Sequence, residues 1–427
     1  KFFFLMHDQI EILCRILRCR KSWDCGWNKP NSSKHSRRAC ARPPKGLEGS
    51  LMTRTANLSM ALSDEQAMIL DNAREFCRSK SDITAVRSLL KSATGFNSEV
   101  WQEMIELGWT GMVIPEKHGG SEMGIGSAIP VIENMGRYFL CTPFISSTIA
   151  AEAIIRGGSE SQQSRWLPAV AQGSIGTMAL LDNEDWGATD TDCILLQDQN
   201  DFILQGKKFL VADAEVADFF IVLAKQSDSL VLVIVEASQI PASAIEKKTL
   251  VDETKRAASV DFSGIKISRS AVLAEGAKIL PDIRLIGALL IAAEATGCAA
   301  AALDTIVDYL TTRQQFGRLI GSYQSLKHPT VDVLIQMDSA RSFIYHAATL
   351  IDQDALDRDT EIACRMSKAQ AAEALSFAGD RAVQFHGGMG FTYECDAMLY
   401  IRRAQWALHQ YGDPQHHRKC LAGLLLD

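Results

Sequence analysis

The chain has 427 residues, 47% of them hydrophobic and 22% charged, with a formal net charge of -7. That length allows two or three domain-sized units, the composition is that of a globular protein, and the net negative charge gives no footing for nucleic acid. The charge is uneven: residues 1–51 carry eleven Lys/Arg against four Asp/Glu, net +7, so the rest of the chain carries -14.

Residues 1–51 also hold Cys14, Cys19, Cys25 and Cys40, yet no C-x-x-C pair and no apolar periodicity after Leu17. They read as a non-domain, disordered leader, with Met52 and Met60 standing just ahead of the first convincing helix. The segment is basic and has serines, as a mitochondrial transit peptide would, but Asp8, Glu11 and Asp24 argue against one. The other seven cysteines are scattered, which points to free thiols in a reducing compartment, the cytoplasm ahead of the mitochondrial matrix.

Three zones follow. Residues 52–173 form a helical domain. Ser63 with Gln66 makes a capping box, Asn97 or Ser98 caps a second helix that Gly108 closes, and 126–139 read as an amphipathic helix. Residues 174–273 switch to short β-branched runs broken by Gly, Asp and Ser, the pattern of an antiparallel β domain. Residues 274–427 return to long Ala/Leu-rich helices, a carboxy-terminal four-helix bundle. The run 285–303 is apolar enough to raise a membrane span, but Glu294 in its middle favours a buried helix. The fold class is therefore α+β, mainly α. No dinucleotide-binding glycine motif, Walker loop or nucleophile elbow is present.

Two stretches carry chemistry. In "TRQQFGRLIGSYQSLKH" (312–328), Arg313 offers a fork of donors suited to phosphate, and Phe316–Gly317 form a tight exit from a helix. In "AVQFHGGMGFT" (382–392), Gly387, Gly388 and Gly390 let a backbone approach a ligand, and bare N–H groups there can hold an anion. Each alone also fits an ordinary loop or helix cap. Together with "LGWTGMVIPEKHGGSEMG" and "VDFSGIKISRSAVL", in this order, the chain resembles the acyl-CoA dehydrogenase family over nearly all of 60–427.

The resemblance implies FAD as cofactor, an acyl-CoA substrate dehydrogenated at its α,β bond, an electron-transfer flavoprotein as electron acceptor, and a homo- or hetero-oligomer (dimer or tetramer). It implies that Arg313, Phe316 and Gln324 contact the ADP part of FAD. Gln384, Phe385, His386, Gly387 and Gly388 do the same for the cofactor of a neighbouring subunit. The sequence departs from the family twice. Leu210 and Ala212 replace the Trp and Thr that flank the flavin ring, so the ring loses a stacking partner and a hydroxyl. The catalytic glutamate is missing: Gln410, Tyr411 or Gly412 stands at one family position, depending on register, and Gly287 or a neighbour at the other. Two substitute bases remain, Asp413 in its Gly-Asp-Pro turn and, as the weaker alternative, Glu294, two helical turns beyond Gly287, whose burial would raise its pKa. His409, His416 and His417 are expected to be solvated, without a metal.

The leading expectation is a self-sufficient FAD-dependent acyl-CoA dehydrogenase acting on a bulky, branched or dicarboxylic acyl group. The alternative is a base-less FAD-binding subunit of a hetero-oligomeric acyl-CoA dehydrogenase, with the carboxylate on a partner chain. A flavin-free scaffold is the third.

Overall fold

The computed structural model describes residues 64–188, 190–352 and 356–426. The leader 1–51 and the Ser63 cap lie outside the described residues. Helices come first: α1 (Asp64–Lys80), α2 (Ile83–Leu89), α3 (Ser98–Glu106), α4 (Ile125–Tyr138), α5 (Phe144–Gly157) and α6 (Glu160–Ala171). Asn97 caps α3, its side chain accepting the Glu99 N–H at 2.8 Å. Gly108 leaves that helix with φ +75°, a conformation glycine adopts without strain.

Nine strands follow: β1 (Gly176–Ala179), β2 (Ile194–Asp198), β3 (Asp201–Gln205), β4 (Lys207–Ala212), β5 (Phe219–Gln226), β6 (Ser229–Glu236), β7 (Ile245–Lys247), β8 (Ala257–Asp261) and β9 (Ile265–Ile267). Six of them share one sheet, in the order β1-β5-β2-β3-β9 with β6 on β5; β4, β8 and β7 make a second. Most pairs are antiparallel, but β1 and β2 both run parallel to β5. The chain leaves β1 to build β2–β4 before it returns as β5, and alternation of side chains carries no information on that direction. In β4 the register slips between Lys208 and Val211, and Leu210 turns to φ +52°. This irregularity re-aims the end of the strand that borders the main cleft.

The last part begins with α7 (Gly276–Thr312), 37 residues and roughly 55 Å at 1.5 Å per residue. A short hairpin, β10 (Gln314–Gln315) and β11 (Arg318–Leu319), joins it to α8 (Gln324–Leu350). Phe316 and Gly317 form the two-residue turn, both at positive φ, as a tight hairpin requires. Then come α9 (Arg358–His386), α10 (Ala397–His409) and α11 (Pro414–Leu426). The apolar window of α7 is wholly buried inside the protein. Its small residues permit close packing: a Cβ on Gly297 would lie 1.8 Å from the Glu133 carbonyl oxygen on α4, and one on Gly136 would lie 2.0 Å from that of Glu294. Helix α4, pressed by α1, α7 and α8, is buried from Ile125 to Gly136 on every side instead of along one stripe.

Candidate active site

A cleft lies where α5, β1, β4, the 254–256 loop, α7 and the end of α10 meet. Its walls are mostly apolar: Ile145, Ile149, Met178, Leu180, Leu181, Phe209, Leu210 and Ile291. Gln410 and Tyr411 close one end, and Trp406, one helical turn earlier, lines it beside them.

This end brings together the two places where a family carboxylate is expected. The Tyr411 ring fills the space in front of Gly287, where a Cβ would come within 2.3 Å of it. Its other face packs on Trp186, with ring centroids 4.5 Å apart. Burial pushes the phenol well above its ordinary pKa, so it holds its proton at neutral pH. A carboxylate therefore gives way here to a neutral ring.

The turn that carries Tyr411 is held from behind. Lys368, fully buried on α9, donates to the Gly412 carbonyl oxygen at 2.7 Å and to that of Leu408 at 3.4 Å. Burial brings its pKa down to about 7, against the pull of the Asp413 charge. His417 is buried as well, its Nε2 3.0 Å from the Tyr411 carbonyl oxygen, and burial lowers it to about 3. Solvated histidines were expected, but only His409 is exposed; His416 is half-buried. The reason is that α11 folds back onto α9 and covers them.

Neither substitute base stands free in the cleft. Asp413 is the cap of α11: its Oδ1 accepts the His416 N–H at 2.7 Å, and the residue does not line the cleft. Glu294 belongs to a buried ion cluster. Its Oε1 accepts from Arg403 Nη1 at 2.9 Å and from Lys255 Nζ at 2.6 Å, while Arg403 Nε reaches Asp252 Oδ2 at 2.5 Å and Nη2 reaches Thr254. Burial alone would raise the Glu294 pKa, but Arg403 and Lys255 hold it below the ordinary value, the reverse of the expected shift. An acid held ionised by two cations is a weak proton acceptor.

Sequence reasoning missed the acid that the cleft does contain. Asp213 follows β4 at φ +54° and is the sole carboxyl among the lining residues. Its Oδ2 accepts from the Ser146 hydroxyl at 2.6 Å. The available signal was its place one residue after Ala212, on the strand already marked as bordering the flavin.

At the other end of α7 the two glycine- and arginine-bearing stretches converge on Tyr309. The Arg313 guanidinium lies 5.6 Å from the Tyr309 ring centre, and His386 stacks on that ring at 4.0 Å. Phe316 is 91% exposed. Gln324, Gln384, Gly387 and Gly388 are exposed too, and nothing lies within 4 Å of a Cβ placed on either glycine. Phe385 differs from expectation: it points into the helical core, because it lies on the buried face of α9. A forked cation, exposed glycine backbone and exposed aromatic surface fit a pyrophosphate-bearing cofactor.

These features define a helix–sheet–helix protein with a cleft at the junction of its parts. The family model for the acyl-CoA dehydrogenase N-terminal domain matches residues 63–174 and that for the C-terminal domain matches 285–422. The chain is 28% identical to the acyl-CoA dehydrogenase IpdE2 of Mycolicibacterium smegmatis, over 84% of this chain and 98% of that protein. It is 31% identical to the acyl-CoA dehydrogenase FadE12 of Mycobacterium tuberculosis, over 73% and 83%. Among solved structures, the ChsE4-ChsE5 complex of Mycobacterium tuberculosis superposes with a TM-score of 0.78 at 21% identity, covering 87% of this chain and 99% of that one. The chain belongs to the acyl-CoA dehydrogenase family: it is an oxidoreductase acting on acyl-CoA, with FAD as its cofactor.

Proposed function

We propose that this chain is the FAD-binding, base-free subunit of a hetero-oligomeric acyl-CoA dehydrogenase, in which a partner chain supplies the carboxylate that takes the α-proton. One observation carries this reading: the neutral Tyr411 ring occupies the space between Trp186 and Gly287 where a base is needed. A proton acceptor must ionise near the working pH, and a phenol with a raised pKa does not. Arg313, Phe316, Gln324, Gln384, Gly387 and Gly388 would hold the ADP part of FAD, and their one-sided exposure supports a cofactor shared between chains. FAD, when bound, supplies the hydride acceptor. This chain's residues contribute the cleft and the fixed turn at its end. An electron-transfer flavoprotein is the proposed electron acceptor. The seven unpaired cysteines among the described residues support a reducing compartment. A two-chain assembly also accords with the ChsE4-ChsE5 complex, a structure of the same fold.

Self-sufficient catalysis is the second reading, and Asp213 favours it as the cleft's own carboxyl. One experiment separates the two. The FAD-loaded chain is mixed with acyl-CoA in D2O without oxygen, and α-proton exchange and flavin bleaching are followed. The wild-type chain alone should show neither, and Tyr411→Glu should gain exchange from an undetectable level. Exchange and bleaching by the wild-type chain, lost in Asp213→Asn, would establish the second reading instead.

A further inference from the structure

Asp213 has no part in the proposed subunit role, yet its setting is specific. It ends the β4 segment that carries Leu210 and Ala212, both of which line the cleft. Where the family has a hydroxyl beside the flavin ring, this chain has the methyl of Ala212, and the next residue is a carboxyl. The left-handed backbone at Asp213, φ +54°, is uncommon for a residue with a side chain, and its N–H is tied to the Arg256 carbonyl oxygen at 3.1 Å. One carboxyl oxygen accepts from Ser146 of α5. The charged groups around it are Lys255 and Arg256 of the adjoining loop and Glu294 of α7. Both cations are already engaged: Lys255 pairs with Glu294 at 2.6 Å, and Arg256 donates to five backbone carbonyl oxygens.

We infer that Asp213 is the flavin-tuning residue of this chain, a carboxyl beside the ring whose charge sets how readily the bound FAD is reduced and makes that readiness depend on pH. The inference goes beyond the proposed subunit role and rests on it, because Asp213 as catalytic base is the second reading, which the exchange experiment above tests separately. Burial raises the pKa of this carboxyl, while the Ser146 hydroxyl, Lys255 and Arg256 act in the opposite direction. The physical cause of the tuning is Coulombic. An ionised carboxyl opposes the negative charge that the ring gains on reduction, and a neutral carboxyl does not. By linkage, reduction raises the carboxyl's proton affinity, so between its two pKa values the carboxyl binds one additional proton per two electrons.

The test is spectroelectrochemical titration of the FAD-loaded protein, alone or in complex with its partner, from acid to alkaline pH. The midpoint potential of the wild type should fall with an extra break in slope. Asp213→Asn should lose that break and shift to a higher potential at the alkaline end, with FAD content unchanged. Ser146→Ala keeps the carboxyl but removes the donor that favours its ionised form, so the break should move to higher pH. That second variant keeps the inference open to refutation where Asp213→Asn folds poorly. Superimposable potential–pH curves for the wild type and both variants would overturn it. So would loss of FAD from Asp213→Asn with the Ser146→Ala curve unmoved, which would make Asp213 a structural group only.

Discussion

At the outer cradle, Arg313, Phe316, Gln384, Gly387 and Gly388 stand exposed, and among the described residues no carboxylate pairs with Arg313. At the inner cleft, Tyr411, Gln410 and Trp406 are packed from behind by charged and hydrogen-bonded groups of their own chain. The exposed residues are thus free to meet a ligand or another chain, whereas the cleft end is braced from within. Such a division is what a subunit needs if it still holds a cofactor but leaves proton removal to another chain. The comparison predicts that substitutions behind the cleft cost stability, while substitutions in the cradle cost FAD affinity.

The largest effect should come from Arg403→Met. Arg403 is wholly buried and joins α10 to Glu294 on α7 and to Asp252 in the loop below the cleft. Removing Arg403 leaves the buried Asp252 carboxylate without its cation, and breaking a buried pair in this way costs about 3–5 kcal/mol. Chemical denaturation should show that loss. Adding Asp252→Asn should recover part of it, because Glu294 keeps its pair with Lys255 and no uncompensated charge then remains. A single variant as stable as the wild type would remove the ion cluster as the brace of the cleft.

Gly287→Ala tests the Tyr411 packing. Alanine gains about 1 kcal/mol over glycine inside a helix. Here its Cβ would meet a ring fixed by Trp186, and overpacking of that kind costs about 1–3 kcal/mol. The clash should win, with a net loss of stability of up to about 2 kcal/mol and altered Trp186 fluorescence. In the cradle, Arg313→Ala should leave the denaturation midpoint unchanged and weaken FAD binding, measured by equilibrium dialysis.

Lys368 gives a pH signature. Its folded pKa is lowered to about 7, below the 10.5 of the free side chain. In that interval the unfolded chain binds the proton and the folded chain does not, so stability rises with pH between about 7 and 10. Below that window the full cost of the buried charge is present. Lys368→Met should flatten this part of the stability–pH curve relative to the wild type. A parallel pair of curves would mean that Lys368 keeps an ordinary pKa.

How much of this could be read from the residues depends on where each signal lives. The helix–strand–helix order and the Asn97 cap follow from local chemistry, and the structure shows both; Phe316–Gly317, read as the exit of a helix, instead turns the β10–β11 hairpin, because the helix already ends at Thr312. The convergence of Arg313 and His386 on Tyr309 was not legible, since the stretches lie about seventy residues apart and the family resemblance pointed only to a cofactor for each. The state of Glu294 was not legible. Its neighbour Arg403 is 109 positions away in sequence, and burial alone suggests a raised pKa when the partner is unseen. The histidines failed for the same reason: a helix that folds back buries polar residues whose local pattern looks solvated. Asp213 was overlooked because its significance arises from the irregular backbone of β4, which no side-chain pattern announces.

The smallest effect should come from Asp413, and it discriminates most sharply between the two ends of the comparison. Its carboxylate caps α11 through the His416 N–H, so Asp413→Ala should cost about 1 kcal/mol, the usual value of an N-cap. Asp413→Asn keeps a cap acceptor and should cost only a few tenths. A base would behave differently, because the amide cannot take a proton while the cap is preserved. In the assembled enzyme, Asp413→Asn should therefore leave the rate of α-proton exchange and its pH profile unchanged. Loss of exchange at unaltered stability would return the base to this chain and close the difference between cradle and cleft. Unchanged exchange would leave Tyr411 as the group that defines this end of the cleft.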